Sequence, residues 1–258
     1  MPARGAALLL LSAALVAVRA AYLKEKPAFL TTCYLKDPQF EDCFVKQLQS
    51  IFARLVDGFP EIGALPLDPL EVTQVAVLAD GEGPVAVNST LTGMKIRGLS
   101  QAKAVQHRFN PKTLSLDSRL QIPRLSIDSK YKLSGRLLVL PINGNGDVHI
   151  EPENMDVRVH QKMSLVEREG RRFFHVDSSK VNFTVGGLKM EFTNLYNGQK
   201  ALEESTNKYL NDNWEVAFDS LKPVLTETIE DLLTSILGRL LDKVPVEYFV
   251  GDISSVSS

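Results

Sequence analysis

Residues 194–241 read NLYNGQKALEESTNKYLNDNWEVAFDSLKPVLTETIEDLLTSILGRLL, and this stretch decides the fold because it carries a long helical pattern. Polar residues recur through its first half every three or four positions, which predicts one solvated stripe along an α-helix. The stripe consists of Glu204, Asn207, Lys208, Asn211, Glu215, Asp219 and Lys222. The remaining face needs a partner surface, and it carries Leu202, Tyr209, Leu210, Trp214, Ala217 and Leu221.

The helical pattern changes face near Pro223. Beyond this proline a denser apolar face consists of Leu225, Ile229, Leu232, Leu233, Ile236, Leu237 and Leu240. At about 100° per residue, the polar stripe shifts by about a third of a turn between the two halves. An interior proline removes a helix hydrogen bond and clashes with the preceding turn. We therefore expect two helical rods, bent or broken at Pro223, that each bury a face against the middle of the chain.

The middle of the chain, from residue 73 to residue 192, alternates apolar with polar or small residues. Examples are Val75 and Val77, then Val85, Val87 and Leu91, then Leu120 and Ile122, and finally Val181, Phe183 and Val185. This pattern predicts antiparallel strands with one wet face. The apolar phase slips by one residue at Pro123 and Arg124, where a β-bulge or sharp bend would keep both halves facing inward. Turns are expected at residues 143–146 and 168–170.

The region ahead of the strands carries a shorter helix and both cysteines of the chain. Asp37 and Pro38 fit the N-cap and first position of a helix that ends at Gly58. Its apolar face consists of Phe44, Leu48, Ile51, Phe52 and Leu55. In an oxidising compartment Cys33 and Cys43 are expected to form a disulfide, in preference to two free thiols. A loop of this length is worth about 3 kcal/mol in the chain-entropy model.

The first 20 residues have the features of a secretory signal peptide. Arg4 precedes an apolar run at residues 6–18, and Val18 and Ala20 are small residues before the expected cleavage site. The run is too short to span a bilayer, so an uncleaved anchor is the weaker interpretation. Loss of its two arginines takes the net charge from −2 to −4. We expect a soluble, secreted protein with one domain at residues 21–258.

Motifs for catalysis, metals and nucleic acids are absent from the sequence. There is no G-x-S-x-G nucleophile elbow, H-E-x-x-H zinc motif or Walker loop. The histidines, which are His107, His149, His160 and His175, show no ligand spacing and are interpreted as ordinary strand residues. The charge does not fit a nucleic-acid partner. We therefore expect no enzyme, no cofactor and no metal. Arg168, Arg171 and Arg172 are interpreted as a solvated turn rather than a site for an acidic partner.

Two N-x-S/T sequons begin at Asn88 and Asn182. Both asparagines lie on the strand phase opposite to their apolar neighbours, so both are expected to face water. They are the predicted glycosylation sites.

The order of elements, a helix followed by many antiparallel strands and then long helices, predicts an α+β domain. The chain also resembles the insect takeout and juvenile-hormone-binding-protein family. This resemblance rests on the cysteine pair behind a signal peptide, the run from Leu140 to Gly146, and the closing motifs. Those motifs read FTNLYNG at residues 192–198, NDNWE at 211–215 and LKP at 221–223. Together they cover nearly the whole mature chain.

The resemblance implies a strongly curved antiparallel β-sheet wrapped around a long C-terminal helix, similar to the lipid-binding fold of the bactericidal/permeability-increasing protein. It implies a tunnel for a lipophilic molecule such as a terpenoid, a juvenile-hormone-like compound or a fatty acid. The single cysteine pair is similar to the takeout branch, since hormone-binding relatives carry a second disulfide. The family is associated with circadian and feeding control.

The expected function is therefore a secreted, monomeric carrier of a small hydrophobic ligand, without a stable membrane anchor. The alternatives are a lipid-ester hydrolase and a lipid-transfer protein at a membrane surface, although the acidic charge disfavours anionic lipid. The tunnel wall is expected to include inward-facing residues of the helices and strands. These are Phe52, Leu55, Val87, Leu116, Ile122, Phe183, Met190, Leu210, Trp214, Ala217 and Leu221.

Overall fold

The computed structural model describes residues 22–62, 64–79, 85–137 and 140–253, and the expected signal peptide at residues 1–20 lies outside this part of the chain. The helices are α1 (Phe40–Arg54), α2 (Lys200–Asp212) and α3 (Trp214–Leu241). The strands are β1 (Leu70–Ala79), β2 (Val85–Arg97), β3 (Lys103–Asn110), β4 (Ser115–Arg124), β5 (Ser126–Leu137), β6 (Leu140–Arg168), β7 (Arg171–Thr184) and β8 (Gly187–Phe192).

The strands form one antiparallel sheet in the order β1-β2-β5-β6-β4-β3, and both β7 and β8 pair with β6. The 29-residue strand β6 joins the two ends of the sheet, because its first half pairs with β5 and its second half with β4. Helix α3 contacts both β7 and the distant edge strand β1, so the sheet must curve around it. The predicted α+β fold, a curved antiparallel sheet around a long C-terminal helix, is confirmed.

The predicted bend at Pro123 and Arg124 is also confirmed. Strand β4 ends at Arg124 and β5 begins at Ser126, so the phase slip separates two strands. Leu125 lies buried between them, and its backbone N–H donates to the Pro152 carbonyl. The change of strand lets the apolar residues on both sides of the slip face inward.

One of the two predicted turns is correct. Glu169 and Gly170 connect β6 to β7 with φ angles of 51° and 72°. The turn expected at residues 143–146 is wrong, because these residues lie inside β6, where Gly144 pairs with Leu133. A Cβ atom on Gly146 would overlap the Thr193 carbonyl. Glycine is needed here for a close backbone approach and not for a turn.

The helical break lies at Asn213 and not at Pro223. Asn213 separates α2 from α3 with φ −122° and ψ 30°, and its Nδ2 donates to the Tyr209 carbonyl at 2.8 Å. Helix α3 continues through Pro223. The expectation of a break at the proline is therefore wrong.

Pro223 is tolerated because it lies on the solvent side of α3. Every fourth residue of this helix is exposed, namely Glu215, Asp219, Pro223, Glu227, Asp231, Ser235 and Arg239. Four residues turn an α-helix about 40° beyond one full turn, so the exposed stripe winds gradually around α3. The shift in the polar stripe is this drift, and it needs no kink. Because proline has no backbone N–H, the Asp219 carbonyl lacks its usual hydrogen bond from residue 223. On the solvent side, a water molecule can donate that hydrogen bond instead.

Helix α2 is fastened to the edge strand β8 by two asparagines. Asn207 accepts a hydrogen bond from the Phe192 N–H at 2.9 Å and donates to the Phe192 carbonyl at 2.8 Å. Asn211 does the same with Met190, at 2.9 Å and 2.7 Å. The prediction of a fully solvated stripe is wrong at these two positions, because the amides complete the backbone hydrogen bonds of an edge strand.

The region of α1 matches its prediction except at the boundaries. The helix begins at Phe40 rather than Pro38, and Asp37 accepts a hydrogen bond from the Gln39 N–H in the turn ahead of it. The helix ends before Gly58, whose φ is 73°. The predicted disulfide between Cys33 and Cys43 is present.

The segment that follows α3, at residues 242–253, docks beside the N-terminal segment and the β6–β7 hairpin. Cys33 forms a parallel bridge with Val250. Arg168 donates to the Asp242 carbonyl, and Arg171 pairs with Glu247 at 2.9 Å. Arg168 and Arg171 therefore each have an acceptor on the C-terminal segment, which is defined as residues 242–253, while Arg168 and the turn remain exposed as expected.

Candidate ligand-binding site

The interior between α3 and the sheet is lined by apolar side chains that are incompletely covered. Ala217 is the one fully buried residue among the 28 residues of α3. Leu225, Ile229 and Leu233 pack against the sheet, yet each is only half-buried. Interiors of folded proteins are normally packed as densely as organic crystals. The contact between α3 and the sheet is therefore looser than an ordinary core.

The predicted wall residues are all buried or half-buried, but they do not form a single group. Six are buried, namely Leu55, Val87, Ile122, Phe183, Leu210 and Ala217. The half-buried ones are Phe52, Leu116, Met190, Trp214 and Leu221.

Nine of these eleven residues, all except Leu55 and Trp214, belong to three separate apolar clusters. Phe52, Ile122 and Phe183 share one cluster with the middle of α3. A second cluster lies between the first half of β6, α2 and the start of α3. It contains Val87, Met190, Leu210, Ala217 and Leu221. Leu116 packs in a third cluster, beside α1 and the C-terminal segment. Trp214 joins the first cluster through Phe218, whose ring centroid is 6.5 Å from the indole and 5.7 Å from Phe183.

A row of polar side chains interrupts the inner face of the sheet, and the sequence analysis did not identify it. His107 on β3 pairs with Ser118 on β4, and Gln161 on β6 pairs with Ser179 on β7. On its other side, Ser118 pairs with Val159 of β6. Val159 faces inward and precedes Gln161 by two residues, so the two pairs are close together on the sheet. The exposed fractions of His107, Gln161 and Ser179 are 7%, 5% and 3%.

Two members of this row satisfy each other. His107 Nδ1 lies 2.8 Å from Ser118 Oγ, and the imidazole stacks on Phe44 with ring centroids 4.5 Å apart. Burial lowers the pKa of His107 to about 3, because the charged form loses its hydration. The imidazole is therefore neutral at physiological pH.

Each of the other two members has one polar atom without a partner among the described residues. Gln161 Nε2 and Ser179 Oγ are buried and have no hydrogen-bond partner in the part of the chain that the structure describes. Buried polar groups are hydrogen-bonded in the great majority of cases. These two atoms are thus unusual, and they lie on adjacent strands.

The sequence did contain a signal for these residues. Gln161 interrupts an inward-facing series that includes Val157, Val159 and Met163, and Ser179 precedes Val181 in the same phase. Their polar character concealed them, because polar strand residues are normally assigned to the wet face. A β-bulge adds to the difficulty, since Met163 pairs with Val176 whereas Lys162 pairs with Ser178, which leaves Asp177 without an opposite residue.

The contact between Ser118 and His107 resembles the nucleophile and base of a hydrolase. However, a general base must accept a proton near the working pH, and a pKa of about 3 prevents this at neutral pH. Ser118 is the one hydrogen-bond partner that the described residues provide to His107. In a catalytic triad, a carboxylate accepts a hydrogen bond from the second ring nitrogen and so orients the histidine. The described residues provide no such carboxylate to His107.

The outer face of the sheet carries a polar groove across β3, β4, β6 and β7. Its cations have carboxylate partners, as in the pairs Arg119–Asp156 at 2.7 Å and Arg108–Glu41 at 3.1 Å. The groove therefore suits neither an apolar ligand nor a free anion. Asn88 and Asn182 are both exposed, as predicted from strand phase.

The described residues offer neither a metal site nor a membrane-spanning helix. Among the described residues, no cluster of three or more His, Cys, Asp or Glu side chains could hold a metal ion. Within the same residues, no helix combines the length and the apolar character needed to cross a bilayer.

Comparison with known proteins gives matches along most of the chain. Residues 8–251 match the family model described as haemolymph juvenile hormone binding protein (JHBP). The circadian clock-controlled protein daywake of Drosophila melanogaster is 26% identical over 230 residues, which covers 86% of this chain and 87% of that protein. Its Drosophila yakuba counterpart is 25% identical over the same length. The crystal structure of Epiphyas postvittana Takeout 1 aligns with a TM-score of 0.74 and 24% identity, over 85% of this chain and 98% of that one.

Proposed function

Because the chain belongs to the haemolymph juvenile hormone binding protein family, we propose that it is a secreted carrier of one small hydrophobic ligand. The ligand occupies an apolar tunnel between α3 and the curved sheet. Terpenoids, juvenile-hormone-like compounds and fatty acids are the chemical classes that suit such a site, since apolar pockets with few polar groups bind ligands of this kind.

The observation that carries the proposal is the incomplete packing of α3. The apolar residues with which a long helix faces a surrounding sheet should be buried, whatever the state of its solvent-facing stripe. Here only Ala217 is fully buried, and the leucines and isoleucines that face the sheet retain accessible surface. A ligand in the remaining space would cover this apolar surface, and that burial would drive binding.

The remaining features of the proposal concern the mature protein. Residues 1–20 are removed as a signal peptide, and residues 21–258 act as a single monomeric domain. The exposed Asn88 and Asn182 carry glycans. The eleven inward-facing residues identified from the sequence form the tunnel wall and its immediate support. Leu210 and Ala217 act as support, since their exposed fractions of 0% and 1% leave them packed on all sides by protein.

The test uses a bulky residue to fill the proposed tunnel. In Leu221→Trp the indole occupies space at the α3–sheet contact without adding charge. We expect a fluorescent long-chain probe to bind this variant about 5- to 150-fold more weakly, because overpacking commonly costs about 1–3 kcal/mol. Val216→Trp is the matched control, since Val216 is 57% exposed on the same helix, and its affinity should equal that of the wild type.

Trp214 gives an independent readout in the wild-type protein. It is the only tryptophan and is half-buried at the start of α3, so its fluorescence should change when the probe binds. Binding by a correctly folded Leu221→Trp protein at wild-type affinity would show that Leu221 does not border the ligand.

A lipid-ester hydrolase is the second candidate, and the contact between Ser118 and His107 is the observation that favours it. The neutral, weakly basic His107 argues for binding without turnover. Incubation with a labelled long-chain ester distinguishes the two functions. We expect the ester to be recovered intact, whereas turnover that Ser118→Ala abolishes would establish the hydrolase.

A further inference from the structure

We propose that Gln161 and Ser179 form the binding site for the polar end of the ligand, and that this end is an uncharged hydrogen-bond acceptor such as an ester, ketone or hydroxyl group. This inference rests on the proposed function, since it assigns a headgroup to the ligand of the same tunnel.

The first observation is the pair of unpartnered atoms. Gln161 Nε2 has two hydrogens to donate, and Ser179 Oγ can donate one. Both atoms are buried, and neither has a partner among the described residues. Because the two residues are opposite each other on β6 and β7, their Cβ atoms lie about 4.5–5.5 Å apart. One oxygen with two lone pairs can accept a hydrogen bond from both.

The second observation is the position of the pair in the wall. On one side lie Phe109, Leu116 and Met163, which pack toward α1 and the C-terminal segment. On the other side lie Val159 and Val181, in the cluster that includes the half-buried residues of α3. The pair is therefore a polar position between two apolar regions. A ligand that is mostly hydrocarbon and has one polar group matches this arrangement.

The third observation is that the described interior offers the pair no buried cation. Among the described residues no lysine or arginine is buried, and the neighbouring His107 is neutral. The buried Glu203 is on α2 and is paired with Lys200 at 2.7 Å. A carboxylate beside Gln161 would thus be a buried charge without a counter-ion, which is strongly disfavoured.

A cation near the interior lies elsewhere. The Lys222 ammonium is 5.8 Å from the centre of the Phe183 ring, and Phe183 follows Ser179 by four residues along β7. Four strand residues span about 13 Å. A fatty acid held by Lys222 would therefore leave Gln161 and Ser179 unpartnered, which gives the test a clear alternative outcome.

The experiment compares ligands of equal chain length that differ only at one end. A long-chain methyl ester, the corresponding alkane and the corresponding fatty acid each displace a fluorescent probe from the wild-type protein and from the double variant Gln161→Met, Ser179→Ala. We expect the wild type to bind the ester about tenfold or more tightly than the alkane, because two hydrogen bonds are gained. In the double variant this preference disappears, while the affinity for the alkane is unchanged.

The control is the double variant Gln121→Met, Ser178→Ala. It makes the same chemical changes on β4 and β7, at one exposed and one half-buried position on the outer face of the sheet. Its preference for the ester should equal that of the wild type. Circular dichroism checks the folding of each variant. If a double variant does not fold, Ser179→Ala alone and the wild-type comparison of ester with alkane still decide the question.

Each unfavourable outcome identifies what is wrong. If the wild type binds none of the compounds, the proposed carrier function fails. If it binds ester and alkane equally, or if the double variant keeps the preference, a trapped water satisfies the pair and the headgroup site is refuted. If the fatty acid is preferred at neutral pH, the assignment of an uncharged headgroup is refuted and Lys222 becomes the anchoring residue.

Discussion

At the scale of single residues, two glycines let the backbone of β6 approach the segment that leads into α2. Gly144 lies against Leu195, and Gly146 lies against Thr193. The Tyr131 hydroxyl adds to this contact by donating to the Thr193 carbonyl at 2.8 Å. The segment therefore packs directly onto the sheet, and side chains at the two glycine positions would separate them.

Gly146→Ala should destabilise the fold, because the new methyl group would overlap the Thr193 carbonyl. We expect the free energy of unfolding to fall by about 1–3 kcal/mol. Gly238→Ala is the matched control, since nothing lies within 4 Å of a Cβ atom at this position of α3. Alanine is the better helix former, so this variant should gain about 0.5–1 kcal/mol. Urea denaturation measures both, and equal effects of the two substitutions would contradict the close approach.

Single residues were predictable wherever a local rule decided their position. Asn88 and Asn182 face outward because the period of a strand is two. Gly146 could not be interpreted correctly, because the constraint comes from Thr193, 47 positions further along the sequence. Gln161 was missed because a polar side chain at an inward position contradicts the usual pattern. Such contradictions are expected at functional positions.

At the scale of elements, helix side chains cover two strand edges. Asn207 and Asn211 are four residues apart, which is about 6 Å along a helix, and Met190 and Phe192 are about 6.8 Å apart along a strand. The near match of these spacings lets two amides of α2 hydrogen-bond alternate residues of β8. On β7 the Glu230 carboxylate of α3 accepts from the Val181 N–H at 2.9 Å.

Asn207→Ala should loosen α2 from β8, because the N–H and carbonyl of Phe192 lose their partner. We expect a loss of about 1–3 kcal/mol in unfolding free energy, together with faster hydrogen exchange at the Phe192 amide. Lys208→Ala is the control, since its exposed ion pair with Asp212 is worth about 0.3–0.5 kcal/mol. Unchanged exchange at Phe192 in Asn207→Ala would show that the amide contact contributes nothing to holding α2.

The existence of the elements followed from periodicity, whereas their ends and partners did not. Pro223 was expected to bend or break the helix, yet α3 continues through it with the proline on its wet side. The break falls at Asn213, whose side chain bonds the backbone one turn earlier. Asparagine competes locally for backbone hydrogen bonds, but such competition is too common in sequences to mark one boundary.

At the scale of the whole molecule, the attachment of α3 to β7 should depend on pH through Glu230. The hydrogen bond from the Lys180 ammonium lowers the pKa of this carboxyl, burial opposes the shift, and the Val181 N–H supports it. A folded-state pKa below the unfolded value of 4.5 gives stability that is present above the unfolded pKa. This stability is lost as the pH falls through the folded-state pKa.

Glu230→Gln is the variant that isolates this effect. The amide oxygen can still accept from Val181, but the group no longer titrates. As the pH falls from about 6, past the unfolded value of 4.5 and on through the folded-state pKa, the wild type should lose more stability than the variant, as measured by the urea midpoint. The control is Glu215→Gln on the exposed stripe, for which the loss should match the wild type. An identical pH dependence in Glu230→Gln and wild type would exclude Glu230 from the acid response.

The architecture of the whole molecule was predictable because the order of elements and the one-sided strands leave few arrangements. A sheet with one apolar face must cover something, and the C-terminal helices offered the large apolar surface. The looseness of that contact could not be predicted. Periodicity assigns Leu225 and Ile229 to the inner face, but it carries no measure of the distance to the opposite wall.

The winding of the exposed stripe on α3 restricts how the length of the chain can change. From Glu215 to Arg239 the stripe turns by about 240°, so each apolar residue matches a particular part of the surrounding sheet. Deleting one residue after Pro223 would rotate everything beyond it by about 100° and bring charged side chains inside. An extra residue in the Glu169–Gly170 turn would rotate nothing in α3. Insertions and deletions among natural sequences with this fold should therefore concentrate in the loops between strands and spare α3.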